Sequence, residues 1–143
     1  MKRRAYLVVL IGALLACTKP AVDPQPADDG EKVAGSYEIS HILYDAPGVD
    51  DDSDEQYPQT IAKIIYSAGL EVERISATSV KISLVRRETG QKNAVNVVGT
   101  PNLRNNAVYR DTTNVGVADG KVLNLDFVNN DVHVIIESKK KVK

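Results

Sequence analysis

From Val33 onward the chain is a series of short runs in which apolar and polar residues alternate. "SYEISHILY" sets Tyr37, Ile39, His41 and Leu43 on one face, and "SVKISL" sets Val80, Ile82 and Leu84 opposite Lys81 and Ser83. "KVLNLDF" aligns Leu123, Leu125 and Phe127, and "DVHVIIE" aligns Val132, Val134 and Ile136. A period of two is the mark of an antiparallel strand with one buried face. "IAKIIYS" and "LEVERIS" are less regular, and "AVNVV" and "NAVYR" shorter. The β-branched content of the first of these favours a strand over a helical turn. Asp119-Gly120 and Asn129-Asn130 suit tight hairpins, while Ser67-Ala68-Gly69, Thr89-Gly90 and Pro101-Asn102 punctuate the remaining runs. The pattern predicts an all-β fold with no convincing helix and no longer internal repeat. An antiparallel up-and-down β-barrel of about eight strands removes every exposed edge, and a β-sandwich is the alternative.

The first residues follow a different pattern. Lys2, Arg3 and Arg4 precede an unbroken apolar run from Ala5 to Ala16. That is the arrangement of a secretory signal. As a helix the run rises only about 18 Å, short of the ~30 Å hydrocarbon core it would have to cross. Cys17, the chain's one cysteine, comes next, behind Leu14, Leu15 and Ala16. The stretch resembles a bacterial lipoprotein signal, in which an apolar residue, a variable one and a small one precede a lipid-bearing cysteine. The resemblance implies cleavage between Ala16 and Cys17, with Cys17 taking a diacylglyceryl group and its freed amine a further acyl chain such as palmitate. At about 0.8 kcal/mol per buried methylene, two or three chains hold a protein on a membrane where one would not. Cys17 is then a lipid attachment point, not a disulfide partner or a nucleophile. Residue 18 is Thr18, not aspartate, which by the same resemblance implies the bacterial outer membrane, with the leaflet left open.

The expected organisation is therefore a signal peptide at 1–16, lipidated Cys17 and a flexible spacer at 17–32, and a barrel domain at 33–143. "TKPAVDPQPADDGEK" has too few apolar residues for a core, and its prolines favour an extended, semi-stiff tether. Gly35-Ser36-Tyr37, opening the first strand just after that tether, resembles the start of lipocalin-like (calycin-like) bacterial lipoproteins. Lipocalins proper carry Gly-x-Trp there, the tryptophan plugging the closed end; here tyrosine takes that place and the chain has no tryptophan. "SATSVKISL", "VADGKVLNLDF" and a last strand ending in lysines fit the same rhythm, so the likeness spans roughly residues 33 to 139.

Charge and side-chain chemistry narrow the function classes. A formal net charge of −1, more negative once the basic leader is removed, gives no electrostatic reason to bind nucleic acid. The basic tail of Lys139, Lys140, Lys141 and Lys143 reads as a solvated terminus. In "VDDDSDEQ", Asp50, Asp52 and Asp54 alternate as calcium ligands do. Glu55 and Ile61 stand where an EF-hand needs glycine and glutamate, so the stretch reads as a solvated acidic loop. The long connection Asp45–Thr60 is, by the lipocalin resemblance, a lid over the barrel mouth; the residues alone equally allow a loose acidic insertion. Strand parity points His41 inward with Ile39 and Leu43 and His133 outward, which separates the two histidines and leaves no metal site. Glu71, Glu73 and Glu88 have no identifiable partner for hydrolysis, and Arg86-Arg87 and Tyr109-Arg110 lack the aromatic interleaving of a nucleic-acid groove. No nucleophile elbow, P-loop or zinc-protease motif occurs.

These observations predict an envelope lipoprotein that is not an enzyme and needs no cofactor, and whose barrel binds a small apolar ligand. The alternative is a structural or interaction lipoprotein, its interior filled by its own side chains and its loops contacting an envelope or extracellular partner. An eight-stranded barrel is just wide enough for either.

Overall fold

The computed structural model describes residues 27–48 and 53–142. The signal peptide, Cys17 and most of the spacer lie outside them, as do Asp50 and Asp52. One short helix, α1 (Asp29–Val33), precedes eleven strands: β1 (Gly35–Asp45), β2 (Ser53–Gln56), β3 (Gln59–Ile61), β4 (Ile64–Ser76), β5 (Ser79–Glu88), β6 (Ala94–Gly99), β7 (Asn102–Arg104), β8 (Ala107–Arg110), β9 (Thr113–Ala118), β10 (Leu123–Asn129) and β11 (Val132–Lys140).

Eight of the strands close a ring. β4, β5, β7, β8, β9, β10 and β11 follow one another in antiparallel order, and β1 pairs with β11 on one side and with β4 on the other. The join between β5 and β7 is brief: Ser79 opposes Asn102, Val80 N–H donates to Pro101 O at 3.2 Å, and Leu103 N–H donates to Thr78 O at 2.8 Å. The molecule is thus an up-and-down antiparallel β-barrel of eight strands, and the sandwich alternative is excluded by closure through β1.

Several strands are where the alternation places them. Val80, Ile82 and Leu84 are buried, as are Leu123 and Leu125 and also Val134 and Ile136. Cross-strand rows build the core: Ile42, Ile136 and Leu125 form one, and Tyr44, Val134 and Phe127 the next towards the mouth.

Other expectations are corrected. The two runs around Ser67-Ala68-Gly69 are one thirteen-residue strand, β4, with no turn between them. The turn lies earlier, at Ala62-Lys63, whose φ values of 49° and 71° suit a two-residue hairpin. Asn130-Asp131, one residue beyond the expected pair, makes the β10–β11 hairpin. Strands β2, β3, β7 and β9 do not stand out by alternation.

His41 is the plainest reversal. The β1–β11 register shifts between Ile39 and His41, so Ser40 is a bulge and every later side chain changes face. Tyr37 and Ile39 point inward, then Ile42 and Tyr44 do, and His41 faces out to Asp54 at 2.9 Å. It is a surface residue, not a core one.

The expected lid is also corrected, as far as it is described. After Glu38 and Gly69, β1 and β4 part, leaving two strand edges without partners. β2 pairs with β1 and β3 with β4, so Ser53–Ile61 is a wedge in the wall, its turn at Tyr57-Pro58 held by Tyr57 N–H donating to Ser40 O at 2.9 Å.

The ordered body begins earlier than the change in composition. Asp28 caps α1 by accepting from Glu31 N–H, and its carboxylate meets Arg74 at 2.6 Å. Gly30 N–H donates to Ala77 O at 2.9 Å, and Val33 is buried. Residues 28–32, expected as flexible spacer, form a plug over one barrel end. Tyr37 completes it, donating from its hydroxyl to Val33 O at 2.6 Å, while Lys140 Nζ lies over its ring and donates to Lys32 O at 2.9 Å.

Candidate functional site

With one end plugged by α1, access to the interior is at the other, and there the wall is uneven. The β8–β9 hairpin turns back at Asp111-Thr112. β9 pairs with β10 only at Leu123–Leu125, so Asp126–Asn129 are paired only to β11 among the described residues. On the opposite flank β6 pairs with β5 alone. Its break from β7 falls at Gly99-Thr100-Pro101, where proline cannot donate to a ladder. Between β6 and the upper part of β10, above the low β8–β9 hairpin, the barrel has a notch.

A well of about 200 Å³ opens into this notch. Its floor is the barrel core, with Ile82, Val108, Val115 and Leu125 all buried. Val98 and Phe127 line its flanks, and Thr100, Asn102, Arg110 and Asp111 form a polar rim. An apolar floor under a few convergent polar groups is the usual make-up of a small-molecule site, although this well is below the common size of about 300–1,000 Å³.

Two arginines point into the mouth. Arg86 follows Val80, Ile82 and Leu84 on the inner face of β5, and Arg110 follows Val108 on β8. Each guanidinium lies over an aromatic ring, Arg86 over Tyr44 at 5.9 Å and Arg110 over Phe127 at 4.7 Å. Since Phe127 and Tyr44 flank Val134 in one cross-strand row, the two arginines stand at opposite ends of a band across the mouth.

Their electrostatic settings differ. Arg86 donates from Nη2 to the Tyr44 hydroxyl at 3.0 Å and lies 3.4 Å from Glu55 Oε2. Glu55 also accepts from the Tyr57 hydroxyl at 2.6 Å. Burial first, and the Glu55 hydrogen bond next, push the Tyr57 hydroxyl up to about 12. Arg110 has no such partner. Arg74, Arg86 and Arg87 pair with Asp28, Glu55 and Glu71, whereas Arg110 meets no carboxylate among the described residues.

The residues singled out in the sequence are dispersed. His41 and His133 sit on the outer surface, the second 2.6 Å from Asp126. Glu71 binds Arg87 outside the barrel, and Asp54 binds His41. Among the described residues no three His, Cys, Asp or Glu side chains converge as metal ligands. As strings, Tyr109-Arg110 and Arg86-Arg87 are no more than short basic patches. Parity offers a clue, because Arg86 continues the inward series of β5, but the notch follows from missing cross-strand partners that no single run displays.

No protein-family model and no curated protein matches the sequence. Among solved structures the chain is similar to one described as "De novo design of a fluorescence-activating beta barrel", with 10% identity over 80% of this chain and 98% of that one and a TM-score of 0.43.

Proposed function

We propose that the chain is a membrane-anchored cell-envelope lipoprotein whose lipocalin-like barrel binds a small apolar molecule without transforming it. The observation that carries the binding reading is the well beneath the notch, where the apolar core is reached from outside through a gap in the wall. The anchor reading is supported by Leu14, Leu15 and Ala16 before Cys17, and the outer membrane by Thr18. Tyr37, buried at the plugged end, is in keeping with the lipocalin-like start at Gly35. The non-catalytic reading is supported by neither histidine lining the well, each being paired on the outer surface to a carboxylate, His41 to Asp54 and His133 to Asp126.

Native mass spectrometry of the full chain, produced in a bacterium and extracted from its membranes in mild detergent, tests both halves. The wild type is expected to carry a covalent acyl mass that Cys17→Ser lacks. It is also expected to carry a smaller mass that solvent extraction removes and that Val115→Phe, which fills the well, does not retain. An unmodified Cys17 would sink the anchor, and identical masses before and after extraction would favour the second reading. That reading, an interaction lipoprotein, draws on β6: its outer edge has no partner among the described residues, and Val95 and Val97 on it are about 60% exposed.

A further inference from the structure

We infer that the notch well takes an anionic amphiphile, a short-chain carboxylate whose tail lies on Ile82, Val108, Val115 and Leu125 and whose head group pairs with Arg110. The inference rests on the binding reading above and adds the polarity and size of the ligand. Three observations carry it.

The first is the contrast between the two mouth arginines. Both point inward and both lie over aromatic rings, but Glu55 neutralises one, and no described carboxylate neutralises the other. A guanidinium held over a ring at the lip of an apolar well presents its fork to whatever enters, and its geometry matches a carboxylate bidentately. The second is the rim. Thr100 and Asn102 share it with Arg110 and offer neutral hydrogen-bonding groups, and Asp111 is its one anion. The third is size. A well of about 200 Å³ holds on the order of seven water-sized groups at roughly 30 Å³ each. That suits an unbranched tail of medium length with its head outside, and is too small to enclose a whole phospholipid.

A second hollow of about 390 Å³ lies on the far side of the Arg110–Phe127 stack, lined by Asn114, Asp126 and His133. It shares Arg110, Asp111, Val115 and Phe127 with the well, so Arg110 borders both hollows. The carboxylate head belongs at the rim of the well, beside Arg110.

The test is calorimetric titration of the delipidated full chain in detergent below its micellar concentration, with three probes of equal tail length: octanoate, octanol and octylammonium. Octanoate is expected to bind saturably, at least tenfold tighter than octanol, with octylammonium weakest. Arg110→Gln should bring octanoate down to the octanol value while leaving octanol unchanged. Arg110→Lys should recover part of the preference, because the charge returns without the fork. Octanol binding as well as octanoate to the wild type would overturn the inference but leave the apolar-binding reading standing. No saturable binding by any probe would overturn both. Unchanged octanoate affinity in an Arg110→Gln chain that unfolds at the wild-type temperature would remove Arg110 from the site.

Discussion

Two tyrosines contribute to the response of this barrel to alkali. Tyr37 is pushed up to about 12, chiefly by burial and secondarily by the negative charge of Asp119, and Tyr57 reaches about 12 by burial and the Glu55 hydrogen bond. An unfolded tyrosine titrates near 10. The folded chain therefore keeps protons that the unfolded chain releases, so this contribution is fully present below pH 10 and is lost as pH rises through 12. Thermal unfolding measured across a pH series should show Tm falling over that window, and Tyr37→Phe should make the fall shallower. At neutral pH the same substitution removes the bond to Val33 O and should cost about 1 kcal/mol in a denaturant titration. None of this is visible in Gly35-Ser36-Tyr37 as a string. The motif suggests a plug, but the acceptor Val33 O ends a helix whose other residues, 29–32, read by composition as spacer.

At the scale of elements, alternation is legible wherever one strand keeps one inner face throughout. β5, β10 and β11 do so, and their inward residues are those the period names. β1 does not, because the bulge at Ser40 changes parity within a single run. The same region shows why β4 is hard to recognise. Ser67-Ala68-Gly69 looks like a turn, yet small residues are needed there because β1 crosses β4 closely before the two part. A Cβ on Gly69 would lie 2.7 Å from Tyr37 O and 2.9 Å from the Arg87 guanidinium. Gly69→Ala must push β1 away from β4 at the one place where they close the barrel. It is expected to cost about 1–3 kcal/mol, the usual range for overpacking. Equilibrium unfolding in urea measures the loss, and hydrogen exchange should show weakened protection at Gly35–Glu38 before it appears in β10 or β11. Ser67→Ala, on the same strand and not aimed at Tyr37, should leave both nearly unchanged.

For the molecule as a whole, the barrel could be expected from strand count and turn spacing, although the expected eight strands are not the eight that close the ring. The notch could not, since it depends on which strand edges go without partners. β6 is the exposed part of that arrangement. It carries no charge and no proline, the devices by which natural edge strands discourage pairing with another chain. Val95→Lys with Val97→Lys is expected to leave stability within about 0.5 kcal/mol, because both side chains already face solvent. The same pair of substitutions should reduce concentration-dependent association in sedimentation velocity. Unchanged association would show that the β6 edge is guarded in some other way.

The placement of α1 has a consequence for orientation. The chain enters the barrel through α1, and β11 runs out beside it, with Lys141 N–H donating to Ser36 O at 2.9 Å. Both ends of the described chain thus leave by the plugged base, opposite the notch. If the chain is anchored ahead of residue 27, as proposed above, the barrel is held by its base like a cup, with its rim on the far side from the anchor. On the proposed reading, a ligand reaches the notch from the side facing away from the anchor.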